Sequence, residues 1–143
     1  MFVKKITTQL LVLVMVATFS ILPASSGVAN LGVSEAHELA MRGEIILIDV
    51  RTPQEWKNTG IGASARAVSM HLPGFFKKIG AIVHGNKSQP IALICASGAR
   101  SSRMQTMLHK RGYTNIISVT GGMLGSSAAP GWLNTGLPVK DPG

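Results

Sequence analysis

An α/β fold, with a mainly parallel sheet and helices on both faces, follows from three features of the 143-residue sequence. Residues 45–50 (IILIDV), 91–95 (IALIC) and 116–119 (IISV) are short apolar runs with little polar alternation. Such runs fit strands buried on both faces, the usual state of a parallel sheet. Segments with helix caps and helical spacing separate them, so strands and helices alternate along the chain. The length suits one core rather than two.

The elements follow in order. Lys4 and Lys5 precede a charge-free stretch from Ile6 to Leu22, and small residues come next. That is the layout of a secretory signal, with cleavage expected after Ser26 or Ala29. Residues 1–29 are therefore expected to be a signal peptide of an exported, periplasmic protein. The alternative is a retained membrane anchor, for which the 17 residues from Ile6 to Leu22 lie near the lower length limit. Ser34 is expected to cap a helix that contains His37, Glu38, Leu39 and Met41 and ends at Gly43. Thr52, Pro53 and Glu55 spell a capping box with proline at the first helical position, so a short helix over about 53–57 should follow the first strand. Ala67 to Met70 reads as a weak strand, and Leu72 to Val83 as helical after Pro73. Asn86 to Pro90 is a turn. A helix is expected from Ser101 to Arg111, closed by Gly112, with Met104, Met107 and Leu108 as a core stripe. After the third strand, Gly121 and Gly122 open an irregular or helical tail.

The net charge is +8, and +6 without Lys4 and Lys5. A basic surface suits a small anionic substrate. Nucleic-acid binding is not expected, because the basic residues are scattered and no zinc-finger spacing, RNA-binding aromatic motif or basic heptad occurs. His37, His71, His84 and His109 have no metal-ligand spacing, so no metal is expected, and each reads as a surface or packing residue. The single cysteine, Cys95, excludes an intramolecular disulfide and a C-x-x-C redox pair. A lone cysteine in an exported chain suggests intermolecular pairing or a reactive thiol, or else it is a small core residue.

The surroundings of Cys95 favour the reactive thiol. It ends a buried strand and precedes a helix, where open α/β sheets bind ligands. Ala96, Ser97, Gly98, Ala99 and Arg100 form a loop of mostly small residues. Such a loop can turn its backbone N–H groups inward, hold an anion and favour a thiolate. Gly98 permits a backbone angle closed to other residues. Arg100 offers a planar fork for an oxyanion. Ser101 and Ser102 either cap the helix or donate to the sulfur, and capping is the expectation.

The stretch from Cys95 to Ser101, CASGARS, resembles the active-site loop C-x-x-G-x-R-S of rhodanese-family sulfurtransferases. ILIDVRTPQEW, residues 46–56, is similar to the family's first core strand and its Asp-x-Arg…Glu signature. Gly112-Tyr113, Gly121-Gly122, Trp132 and GLPV at 136–139 resemble the family's ending. The likeness spans residues 34–139 and is nearest to the small single-domain exported type. It departs at residues 59–68, TGIGASARAV, where the family's usual histidine is missing, and at Ala96, where many members carry arginine.

The resemblance implies a single rhodanese-like domain and a double-displacement sulfur transfer. Cys95 would be the nucleophile and carry a persulfide. Ala96, Ser97, Gly98, Ala99, Arg100 and Ser101 would bind the donor, with Arg100 orienting it. Asp49 and Arg51 would brace the loop, most simply as a structural ion pair. The implied partners are a small anionic sulfur donor such as thiosulfate and a thiol or cyanide acceptor, with no metal or organic cofactor; a membrane enters only if the signal is retained. Two rival readings stand beside this one. A persulfide carrier would use the same loop without turnover. A cysteine phosphatase or arsenate reductase would share the anion cradle, but its tyrosine-phosphatase form places five residues between cysteine and arginine, against four here.

Overall fold

The computed structural model describes residues 29–143. Apart from Ala29, the expected signal or anchor lies outside the described residues. Among those residues no helix is long and apolar enough to cross a membrane.

The element order is β1 (Asn30–Leu31), α1 (Val33–Met41), β2 (Ile46–Asp49), α2 (Pro53–Thr59), β3 (Ile61–Gly62), β4 (Arg66–Ala67), α3 (Phe75–Ile82), β5 (Ile91–Ile94), α4 (Ala99–Lys110), β6 (Ile116–Val119) and β7 (Val139–Lys140). Five strands form a wholly parallel sheet in the order β1-β6-β5-β2-β4. A separate antiparallel pair joins β3 to β7.

The three apolar runs are the sheet's central strands, and their side chains divide between its two faces. Ile91, Leu93 and Cys95 join one core with Ile48, Phe75, Ile79, Met104 and Leu108, beneath α3 and α4. Ala92 and Ile94 join the other with Leu47, Val33, Ala36, Met123 and Trp132, beneath α1 and the C-terminal tail. Both faces are thus covered. Each large aliphatic side chain sealed in these layers contributes about 2 kcal/mol of burial free energy.

The helix starts depart from the capping expectations in two places. Helix α1 begins at Val33 with Gly32 at its cap, so Ser34 lies inside the helix. Burial decides this: β1 ends at Leu31, and Val33 and Ala36 must already be helical to reach the core. Helix α4 begins at Ala99 with Gly98 as its cap at φ +105°, so neither Ser101 nor Ser102 caps it. Helix α2 has the full Thr52–Glu55 capping box but runs on to Thr59. The weak strand expected at 67–70 is paired as β4 only over Arg66–Ala67. Val68 and Met70 still donate their N–H groups to the Asp49 and Val50 carbonyls, extending the contact with β2. The tail from Gly121 is irregular up to the short strand β7.

Candidate active site

Strand β5 delivers Cys95 to the carboxyl edge of the sheet, between the neighbouring ends of β2 and β6. The residue is 1% exposed. Above it the chain turns through Ala96–Gly98 into α4, with Ser97 and Ala99 exposed. The left-handed backbone of Gly98 makes this turn possible and aims its N–H at the sulfur, 3.1 Å from Cys95 Sγ. The Ser101 N–H lies 3.4 Å from the same atom, and Ser101 Oγ lies 3.6 Å from it, where the thiol can donate to the hydroxyl or the hydroxyl can turn to donate to the thiolate. Ser101 Oγ also donates to the Gly98 carbonyl and lies 2.8 Å from Ser118 Oγ on β6. Its hydroxyl is therefore committed beneath the loop, which is the physical reason it does not cap α4.

Burial pushes the Cys95 thiol up, but hydrogen bonds from Ser101, Ser97 and Gly98 outweigh that effect, and the net shift is below the ordinary thiol value. The start of α4 adds its dipole in the same direction. A thiolate held by backbone donors in a dry site is an activated nucleophile.

The loop rests on the tail. Met123 and Leu124 donate their N–H groups to the carbonyls of Cys95 and Ala96, each at 2.8 Å. Gly122, with φ +60°, lies so close that a side-chain carbon there would sit 2.5 Å from the Cys95 oxygen. Only glycine fits.

Arg100 points its two terminal nitrogens at Glu55, with Nη1 donating to Oε2 at 2.9 Å and Nη2 to Oε1 at 2.5 Å. Nη1 also lies 3.3 Å from His71 Nε2. Glu55 Oε2 further accepts from the Thr52 N–H and Thr52 Oγ1. The Arg100 guanidinium, against a smaller burial cost, holds the Glu55 carboxyl down at about 2.

Asp49 and Arg51 form a second pair. Arg51 Nε and Nη2 donate to the Asp49 carboxylate, while Nη1 and Nη2 also reach Thr59 Oγ1 and the Gly60 carbonyl. This pair braces the end of α2 and makes no hydrogen bond to the cysteine loop. It acts on the loop only at one remove, through the helix that carries Glu55.

With this geometry in view, the rhodanese-like domain profile matches residues 32–129. The chain belongs to the rhodanese-like family. A sulfurtransferase of Allochromatium vinosum is 30% identical over 110 residues, covering 76% of this chain and 91% of that protein. The chloroplastic thiosulfate sulfurtransferase 16 of Arabidopsis thaliana is 31% identical over 120 residues, covering 78% and 92%. Among solved structures, the homodimeric polysulfide-sulfur transferase of Wolinella succinogenes superposes with a TM-score of 0.60 at 28% identity, covering 79% of this chain and 78% of that one.

The rhodanese-like domain thus gathers the backbone of Ser97 and Gly98, and Ser101, around the Cys95 sulfur, while Arg100 is held by Glu55. The sequence reading missed Glu55 and His71 as neighbours of the loop. Glu55 was legible as a helix cap and as part of the Asp-x-Arg…Glu signature, but a partner 45 residues away leaves no spacing signal. In the stretch that departs from the family pattern, Gly62 packs against the Trp132 ring, which a side-chain carbon would approach to 2.7 Å. His37 stands edge-on to the same ring and lies 2.9 Å from Ser64 Oγ, a packing role.

Proposed function

We propose that this protein moves sulfane sulfur from a donor such as thiosulfate to cyanide or a thiol, through a persulfide on Cys95. The observation that carries the proposal is the set of backbone N–H donors around a buried sulfur, with the Ser101 hydroxyl beside it and a net downward shift of its titration. The Cys95 thiolate attacks the outer sulfur of thiosulfate, the S–S bond of the donor breaks, and sulfite leaves with the bonding pair. The persulfide anion then rests against the loop N–H groups, where its charge is offset. Cyanide or a thiolate attacks the outer sulfur, and the Cys95 thiolate departs. The sharing of Arg100 with Glu55 argues against a phosphatase reading, since a tetrahedral dianion would need that fork free. Export to the periplasm belongs to the same proposal, on the strength of Lys4-Lys5 and the apolar run that follows.

The test is Cys95→Ser. Thiosulfate:cyanide turnover should vanish while the melting temperature stays close to that of the unaltered protein, since oxygen cannot carry a persulfide and the volume changes little. Mass spectrometry should show one added sulfur on Cys95 after thiosulfate alone. Turnover surviving in the serine variant would refute the assignment, and loading without turnover would favour a carrier.

A further inference from the structure

We infer that Glu55 determines donor specificity: by engaging both terminal nitrogens of Arg100, it turns the Cys95 site toward sulfur donors bearing one negative charge and away from dianions. The inference rests on the sulfur-transfer reading above and deepens it.

Arg100 lies in the first turn of α4, one residue before the Ser101 N–H that faces the sulfur. A free guanidinium there would attract a dianion. Instead the Glu55 carboxylate takes both terminal nitrogens, and His71 lies against one of them. The pair has no net charge, so the guanidinium's attraction for an anion is largely cancelled by the carboxylate it holds. Glu55 is not free to swing away, because Thr52 holds Oε2 with two hydrogen bonds and Arg51 ties down the far end of α2. The other carboxylate near Arg100, Asp49, is already spent on Arg51. What remains to receive an anion is the start of α4 and the loop N–H groups. Those fractional charges offset one negative charge more fully than two, so the second charge of a dianion is left exposed to the Glu55 carboxylate.

Two donors of the same chemistry separate charge from shape. Thiosulfate is a dianion and releases sulfite. Methanethiosulfonate is a monoanion and releases methanesulfinate. Both give the same Cys95 persulfide with the bonding pair leaving on the departing group. Loading rates should be followed by mass at varied donor concentration. In the unaltered protein KM should be lower for methanethiosulfonate; a lower KM for thiosulfate overturns the inference whatever the variants do. Glu55→Gln should lower KM about tenfold for thiosulfate and about threefold for methanethiosulfonate, because the removed charge acts twice on the dianion. Glutamine can still close the capping box, so the helix start is kept. Thr52→Ala, which loosens that start but keeps the Glu55 charge, should change both donors alike. Equal shifts for the two donors in Glu55→Gln would make Glu55 a scaffold residue only. If neither donor adds sulfur to Cys95, the sulfur-transfer reading fails and this inference falls with it.

Discussion

Helix α2 has an arginine–carboxylate pair at each end, and the two pairs share little beyond their chemistry. At the C-terminal end, Arg51 and Asp49 are two residues apart in sequence, with side chains only 1% and 0% exposed. At the N-terminal end, Glu55 meets Arg100 from 45 residues away, with side chains 30% and 27% exposed. The sealed pair spends every hydrogen bond on structure, closing on itself and on Thr59 and Gly60. The half-open pair lies one residue from a group that donates to the reactive sulfur. Burial, not residue type, separates a structural ion pair from one that can tune chemistry.

The largest effect expected is on the sealed pair. Asp49→Ala leaves the Arg51 charge buried without its partner and should cost about 3–5 kcal/mol. A thermal or denaturant melt measures this, and a small change would mean that the two pairs are equivalent after all. The open pair should behave in the opposite way. Arg100→Ala should cost about 1 kcal/mol or less in stability. Yet it should slow thiosulfate loading by one to two orders of magnitude, because Glu55 is left as an uncompensated negative charge beside the site. Adding Glu55→Gln to Arg100→Ala should restore part of that loss, and simple additivity of the two changes would show that the residues do not act as a unit.

A smaller effect concerns acid. The Glu55 carboxyl is lowered from 4.5 to about 2 in the folded protein. Its contribution to stability is therefore complete above its ordinary value and is lost as pH falls from there through about 2. Its partial exposure keeps the amount to about 1 kcal/mol or less. Melts across that window should show a shallow acid limb that Glu55→Gln flattens. The smallest effect separates hydrogen bonding from charge. Ser101→Ala removes the hydroxyl near Cys95 Sγ and should move the thiol's titration upward, as read by ultraviolet thiolate absorbance. No shift would mean that the backbone donors alone hold the thiolate.

The sequence made the central sheet legible because Ile46–Asp49, Ile91–Ile94 and Ile116–Val119 are covered on both faces and are apolar but for Asp49 and Ser118. The Thr52–Glu55 box was legible because capping is local. The two-residue strands β1, β3 and β7 were not, since such short ladders have no period to read. Ser34 and Ser101 misled for one reason. Packing of Val33 in one case and the hydrogen bonds beneath Cys95 in the other outweighed a cap preference worth about 1 kcal/mol. Around the site, the loop was visible as a motif, but the direction of Arg100 was set by a partner from another element. Long-range pairing of that kind is a property of the folded chain.

The close approach at Gly122 joins the loop to a segment that is made after it. The loop from Cys95 to Ser101 is made well before Gly122, Met123 and Leu124, the residues that close against its underside. A growing chain that has reached only Val119 contains the thiol and every donor around it, yet lacks the segment that fixes their shape. The cysteine thus has its full surroundings only in a chain that includes the tail, and a truncation before Gly122 would keep the motif and lose its support.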